Sequence, residues 1–263
     1  MLISSTQRLA AFGAIVAGAM APTALGAGRV IMTEIMYNPN SKEDKGQTEW
    51  IEIANVGDEA VEIKDWRIDD EDKWDWGKFS CTLEPGGVAV LYNADYLTEE
   101  AFREAWDSND SEQSGTYQAI GVKWGGIANT PGPDNEIVQL LDSKGAVICE
   151  VRQEGQWPEC NRPDGSSIYL VDLSASDLSD PKLWKKSDKG VAGGRTNTKT
   201  EIFGGEDHGS PGFVPGLEGG PVAAAPSGNK PKAKPDAKKP PAKPAAKPAA
   251  SQPTSKPDNK IDY

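Results

Sequence analysis

The sequence EWIEIANVGDEAVEIKDWRI, residues 49–68, contains two short segments rich in β-branched residues on either side of a turn. In the second segment Val61 and Ile63 alternate with the charged residues Glu62 and Lys64. This period of two places successive side chains on opposite faces of a strand, whereas the Gly and Asp between the segments favour a turn. The stretch therefore predicts two β-strands.

Further segments share this short, apolar character, and clusters of Gly, Pro, Asn and Asp lie beside them. They are residues 30–37, 87–93, 136–141, 146–152 and 167–171. Many short strands without regular helices between them indicate an all-β fold, either an antiparallel sandwich or a barrel. One helix is predicted at 98–106, because Thr98 is a good N-cap and Phe102 lies one turn before Trp106. We expect this helix to pack across an open end or edge of the sandwich.

Residues 1–27 have the pattern of a secretory signal peptide. Arg8 precedes the apolar run 9–20, and small residues follow that run. The run is shorter than the roughly 20 residues that a membrane-spanning helix needs. We therefore expect cleavage between Ala24 and Arg29, a secreted, periplasmic or cell-envelope location, and no transmembrane segment in the mature chain. The alternative is an uncleaved N-terminal anchor.

Residues 219–263 consist largely of Pro, Ala and Lys, which predicts a disordered tail after a folded domain at 28–218. The net charge is +6 for residues 221–263 and −19 for residues 28–220. A domain this acidic repels phosphate backbones, and the tail has no aromatic residue to stack on bases before Tyr263, so no nucleic acid is expected as a partner. Three roles for the tail stay open: contact with anionic envelope polymers, contact with the acidic domain, and an inert spacer.

The three cysteines, Cys81, Cys149 and Cys160, are too few for a disulfide scaffold, and their spacing fits no zinc motif. We expect a Cys149–Cys160 disulfide in an exported protein, since it would close a loop of only about a dozen residues. Cys81 lies in a probable strand, where we expect a buried free thiol. The alternative is three free thiols.

Several motifs in order resemble those of bacterial lamin tail domains. VIMTEIMYNP at 30–39 resembles their opening strand, EWIEIAN at 49–55 and DWRI at 65–68 resemble the next two strands, LEPGGV at 83–88 resembles a following turn, and GSPG at 209–212 resembles their closing motif. The resemblance spans residues 29–215 and implies an immunoglobulin-like antiparallel β-sandwich that mediates interactions, without conserved chemistry. Bacterial members are typically exported. The chain departs from the family pattern in a long insertion at 93–129.

The tryptophans divide into two groups. Trp50 and Trp66 lie among apolar strand residues, which predicts core positions. Trp74, Trp76 and Trp124 lie among charged residues and glycines. We expect these three to pack beneath a loop. The alternative is that they are exposed as candidate binding residues, for instance for a glycan.

An acidic run offers candidate calcium ligands at Asp69, Asp70, Asp72 and Asp75, since carboxylate oxygens suit this ion. The run lacks the glycine and the terminal glutamate of an EF-hand loop, so we expect a solvated turn and no metal site.

No residue pattern predicts catalysis or a cofactor. The sole histidine, His208, has Asp207 and Ser210 beside it, but neighbours in sequence rarely have the geometry of a triad. The chain has no G-x-S-x-G elbow, P-loop or dinucleotide-binding motif. Glu49 and Glu52 lie three apart on a strand and so point to opposite faces.

The leading hypothesis is a non-catalytic extracytoplasmic interaction module. Its partner is a protein or a cell-envelope polymer, and contact with anionic polymers is one of the three roles open for the basic tail. The rival hypothesis is a calcium-assisted extracellular hydrolase, or a glycan-binding module, that uses the acidic and tryptophan-bearing loops.

Overall fold

The computed structural model describes residues 28–41, 46–70, 76–108, 117–127, 137–152, 157–158 and 165–217. The chain divides into two units, Met1–Pro226 and Ser227–Tyr263, and all described residues belong to the first. The predicted signal peptide at 1–27 and the predicted tail at 219–263 lie outside the described residues. Within the described ranges, no helix is long and apolar enough to cross a membrane.

The described elements are strands apart from one α-helix and one short 3₁₀ turn at Pro181–Leu183. In chain order they are β1 (Val30–Met36), β2 (Trp50–Asn55), β3 (Val61–Asp69), β4 (Lys78–Leu83), β5 (Val88–Asn93), α1 (Glu99–Asp107), β6 (Gln118–Val122), β7 (Ile137–Leu141), β8 (Val147–Arg152), β9 (Ile168–Leu170), β10 (Trp184–Lys186), β11 (Arg195–Thr196) and β12 (His208–Gly209). Each segment predicted from its apolar pattern forms a strand. The helix also forms, and the N-cap hydroxyl of Thr98 accepts a hydrogen bond from the amide of Ala101 at 3.2 Å.

The strands form two main sheets. The larger has the order β10-β9-β1-β2-β5-β6, the smaller has the order β4-β3-β7-β8, and β11 pairs separately with β12. One apolar cluster joins the larger sheet to the smaller one, with Ile51 and Ile53 contributed by β2 and Ile63, Val138 and Val151 contributed by the smaller sheet. This arrangement confirms the predicted immunoglobulin-like β-sandwich with one inserted helix.

One strand pair departs from the antiparallel prediction. β5 and β6 run parallel, in register from Ala89 opposite Gln118 to Asn93 opposite Val122. A parallel pair needs a long crossover connection. The insertion at 93–129 supplies that connection and contains α1, so the expectation of an entirely antiparallel sheet was wrong here.

The helix covers the outer face of the larger sheet, not an end or edge of the sandwich as predicted. Trp50 of β2 meets Trp106 at a ring-centroid distance of 5.5 Å and Phe102 at 6.4 Å, both edge to face. All three side chains are fully buried, so the prediction that Trp50 lies in the core is confirmed. Trp66 is half-buried and packs at the margin of the apolar cluster between the two sheets, called the inner cluster below. Every residue of β2 is buried because the strand is covered on both faces. Truncating one such aromatic side chain to alanine typically costs about 3–5 kcal/mol.

Candidate functional site

Two glutamates lie side by side inside the fold. Glu34 of β1 is directly opposite Glu52 of β2 in the strand register, and the two residues are 1% and 0% exposed. Burial of a carboxylate is costly unless donors surround it. Opposed like charges add to that cost. The hydrogen-bond donors to Glu34 and Glu52 therefore determine the energetic cost of burying the two carboxyl groups.

Donors to Glu34 come from the last described segment, residues 165–217. Its Oε1 accepts hydrogen bonds from the amide of Ser210 at 2.8 Å, from the hydroxyl of Ser187 at 3.1 Å and from the hydroxyl of Ser167. Its Oε2 accepts from the Ser210 hydroxyl at 2.6 Å. Burial raises the pKa of Glu34, and these hydrogen bonds oppose the rise.

Glu52 has fewer donors. Its Oε1 accepts from the hydroxyl of Thr33 at 2.7 Å and its Oε2 from the amide of Gly212 at 2.6 Å. Burial, followed by the negative charge of Glu34, raises the pKa of Glu52 well above the ordinary carboxyl value. The pair therefore retains a proton at a pH where exposed carboxyls are ionised.

The segment Asp207–Gly212, called the closing segment below, covers the two carboxyl groups. Asp207 is 1% exposed and accepts from the amide of Asn40 at 2.5 Å, the amide of Ser41 at 3.1 Å and the side chain of Asn197 at 2.8 Å. Burial raises the pKa of Asp207 against the effect of these donors. The closing segment thus binds the turn after β1 through Asp207 and the carboxylate pair through Ser210 and Gly212.

Arg195 joins the closing segment to the helix. Its Nε donates to the carbonyl of Trp106 and its Nη2 to the carbonyl of Pro211, both at 2.7 Å. The guanidinium also lies 3.4 Å from Asp107 in a buried ion pair. A cation at the C-terminal end of a helix complements the carbonyls that are exposed there.

A carboxyl pair that shares a proton is suited in principle to acid–base chemistry. Here the backbone and side chains of the closing segment occupy the positions that a substrate would need. The pair is therefore a structural contact between β1, β2 and the closing segment. Within the part of the chain that the structure describes, no group of three or more His, Cys, Asp or Glu is arranged to hold a metal ion.

The structure buries two of the three candidate binding tryptophans. Trp76 and Trp124 are 4% and 7% exposed, with ring centroids 4.5 Å apart. The indole N–H of Trp124 donates to Glu49 Oε2 at 2.8 Å, and the amide of Ile127 donates to the same oxygen at 2.9 Å. Trp76 and Trp124 are therefore packed inside the fold, as expected, and the alternative of exposed binding residues does not hold for them. Trp74 lies outside the described residues.

The acidic run is only partly described. Asp69 lies 3.5 Å from Arg67 in an ion pair, and Asp70 is 6% exposed. The prediction that this run forms a solvated turn was therefore wrong for Asp70, whose side chain is buried. Asp72 and Asp75 lie outside the described residues, so the structure does not show the four candidate calcium ligands together.

The cysteines depart in part from the prediction. Cys149 carries a free thiol, contrary to the predicted Cys149–Cys160 disulfide, and Cys160 lies outside the described residues. Cys149 packs against the inner cluster, where burial raises its pKa to about 12 despite a hydrogen bond from the amide of Met32. Cys81 is free as predicted but half-buried, and burial raises its pKa to about 12. Neither thiol is reactive in this state.

The residues around His208 take part in separate contacts. The hydroxyl of Thr196 lies 2.9 Å from His208 Nδ1 across the β11–β12 pair. Ser210 binds Glu34, and Asp207 binds Asn40, Ser41 and Asn197, as described above. Neither residue is aligned with the imidazole in the way that a triad requires.

An open groove lies where the two sheets meet at their margins. It is lined by the start of β1, by β8 and by residues 174–179, and its volume is about 760 Å³. We call it the seam groove. Val147 and Ile148 of β8 are 51% and 39% exposed at its mouth. No sequence motif marked this surface; the apolar start of the segment AVICEVR at 146–152 is the signal that was available.

Comparison with protein families adds one match. The Lamin Tail Domain family model matches residues 23–155, about half of the chain, which includes β1 to β8. A comparison with curated proteins gives no match. The family match ends before the closing segment, so the resemblance of GSPG at 209–212 to a family motif stays a prediction.

Proposed function

The chain belongs to the lamin tail domain family, whose immunoglobulin-like domains are generally non-catalytic, and we propose from this premise that it is an exported interaction module. The folded domain binds a partner at the seam groove. The basic tail contacts anionic polymers of the cell envelope. Each of these two contacts is supported by a different property of the chain.

The seam groove is the observation that carries the proposal. An interaction domain has to present apolar surface to a partner, whereas most apolar side chains of a free domain are buried. Among the described residues only five large apolar side chains are exposed, and two of them, Val147 and Ile148, are adjacent at the mouth of the groove. An open groove beside adjacent apolar side chains is typical of a binding surface.

The charge distribution supports the second contact. Residues 221–263 carry a net +6, while residues 28–220 carry −19. Such a domain repels anionic polymers, and a lysine-rich segment attracts them. Separation of the two charges along the chain allows one protein to bind an acidic surface through its tail and a protein partner through its domain.

The test of the tail compares three proteins: the full chain, a chain without residues 221–263, and a chain in which the nine tail lysines are replaced by glutamine. Binding to dextran sulfate and to isolated envelope fractions is measured over a range of salt concentrations. Only the full chain should bind dextran sulfate, and this binding should decrease steeply with salt, because exposed charges are screened over about 10 Å at 0.1 M. Equal binding by the glutamine variant would contradict the proposed role of the tail.

Thermal unfolding with calcium or with EDTA tests the rival, calcium-assisted function. We expect the same Tm in both conditions. A calcium site occupied at about 100 times its Kd would add roughly 2.7 kcal/mol of stability, which corresponds to a Tm shift of about 5–10 °C for a domain of this size. A shift of that size would favour the rival hypothesis.

A further inference from the structure

At the seam groove, the edge of the smaller sheet has backbone groups that point away from the neighbouring strand. β8 is an edge strand of the smaller sheet, since β7 is its only neighbour among the described strands. The amide of Arg152 donates away from β7, to the hydroxyl of Ser179 at 3.1 Å. The register from Cys149 to Arg152 has no shift. Because backbone groups alternate in direction along an antiparallel strand, the peptide N–H and C=O of Glu150 also point away from β7, toward the groove.

The facing margin of the larger sheet is open as well. β1 pairs with β9 at Glu34 and Ile35, so within the described part of the chain the preceding residues of β1 have β2 as their only strand neighbour. Val30 of β1 and Val147 of β8 both line the groove. The opening thus lies between two strand margins.

The charged groups that line the groove favour a basic ligand. Glu150 and Asp177 are acidic lining residues, and Arg29 is a basic one. Arg152 lies 2.6 Å from Glu150 in an ion pair and offsets part of its charge. The guanidinium of Arg29 donates to the carbonyls of Leu173 (2.7 Å) and Ala175. Its donors are therefore directed at the protein itself. The surrounding domain, at −19, adds a field of the same sign as Glu150 and Asp177.

We propose that the seam groove binds an extended, basic peptide segment of a partner protein, which pairs with the outward-facing backbone of Glu150 as an added strand. An added strand gains affinity from main-chain hydrogen bonds and specificity from alternate side chains. Val147 and Glu150 lie on the same face of β8, because they pair with Leu141 and Gln139, two residues apart on β7. Apolar side chains of the segment contact Val147 and Ile148, and its lysine or arginine residues lie near Glu150 and Asp177. A second copy of this chain is a poorer occupant because the two acidic domains would repel each other. This inference rests on the proposed function and specifies its partner.

The test titrates the full, isotope-labelled chain with an eight-residue peptide of alternating lysine and valine with blocked ends. The control peptide has glutamate in place of every lysine. The lysine peptide should shift the amide resonances of Val147–Glu150 and of residues 28–31, and the glutamate peptide should bind more weakly. Equal binding of the two peptides, shifts confined to other surfaces, or self-association of the chain through β8 in the absence of peptide would overturn the proposal.

Two pairs of variants locate the contact. Ile148→Asn should weaken peptide binding about tenfold, because it removes a buried apolar contact, whereas Val171→Asn, at the same 39% exposure, should change Kd by less than about twofold. Glu150→Gln removes the charge and keeps the backbone N–H, while Glu150→Pro removes both and should abolish strand pairing. Unchanged binding in Ile148→Asn or Glu150→Pro would contradict the proposal. If no peptide binds while envelope fractions still bind the chain, the peptide inference fails and the proposed function stands.

Discussion

Replacement of Glu52 by glutamine tests whether the buried carboxyl pair lowers the free energy of unfolding at neutral pH. Burial raises the pKa of Glu52 in the folded state. The folded protein therefore binds this proton more tightly than the unfolded chain, whose glutamates titrate near 4.3. Stability from this group is complete below the unfolded pKa and is lost as the pH rises toward the folded pKa.

The magnitude follows from this linkage. Each pH unit between the unfolded and the folded pKa costs the wild-type protein about 1.4 kcal/mol per proton. Glutamine has nearly the same shape, its oxygen accepts from the amide of Gly212, and its amide group donates to the Thr33 hydroxyl. The stability of Glu52→Gln relative to wild type should therefore rise with pH at up to that slope and level off above the folded pKa.

The assay is urea denaturation followed by tryptophan fluorescence, from about pH 4 to pH 8, where stability is obtained by linear extrapolation. Glu62→Gln, at an exposed position of β3, is the matched control for the loss of one negative charge. A rise of equal slope in both variants would refute the reasoning, because the effect would then come from overall charge. A loss of several kcal/mol in Glu52→Gln at neutral pH would also refute it, since the donors from Thr33 and Gly212 would then require a carboxylate.

The remaining predictions concern the closing segment, the helix and the tail. Ser210→Ala should cost about 1–3 kcal/mol because it leaves Glu34 Oε2 without its donor, and Ser176→Ala, at an exposed position, should cost far less in the same urea titration. Thr98→Ala should lower stability by about 1 kcal/mol through loss of the N-cap, while Thr98→Ser should not, as measured by thermal unfolding. Removal of residues 221–263 should shift Tm by no more than about 3 °C, because Val222, Ile261 and Tyr263 are the only bulky apolar residues there; unfolding of the truncated chain would place the domain boundary further along the chain.

The strands and the helix were predictable because local sequence determines them. The alternation of Val61 and Ile63 with charged residues, and the turn residues at 56–58, act over a few positions, and β3 forms where they indicate. The N-cap of α1 was equally local. Its position on the outer face of the larger sheet was not predictable, since that depends on the crossover between β5 and β6.

The buried carboxyl pair was missed although a signal was present. Trp50 was predicted to be in the core, and a period of two places Glu52 on the same face of the strand. The prediction compared Glu52 with Glu49, which binds Trp124 elsewhere, and not with Glu34 on the neighbouring strand. The donors that make the pair tolerable come from Ser210 and Gly212, about 160 residues further along the chain, and no local pattern reports such contacts.

The contacts that bury the tryptophans are equally distant in sequence. Trp76 has aspartates and lysines as neighbours in sequence, and a charged neighbourhood usually indicates a surface. In the fold, Trp76 packs against Trp124 with the two rings tilted at 53°, and the indole N–H of Trp124 donates to the buried carboxylate of Glu49. The partner of each ring lies on a distant part of the chain.

Site-specific photocrosslinking in the producing organism tests most directly whether the seam groove is the partner-binding surface. A photoreactive phenylalanine derivative is placed at Ile148 and, as a control of matched exposure, at Tyr96, since these residues are 39% and 38% exposed. The account predicts a discrete crosslinked adduct at Ile148 that the alternating lysine–valine peptide displaces, and none at Tyr96. Equal adducts at both positions, or an adduct at Tyr96 alone, would contradict it.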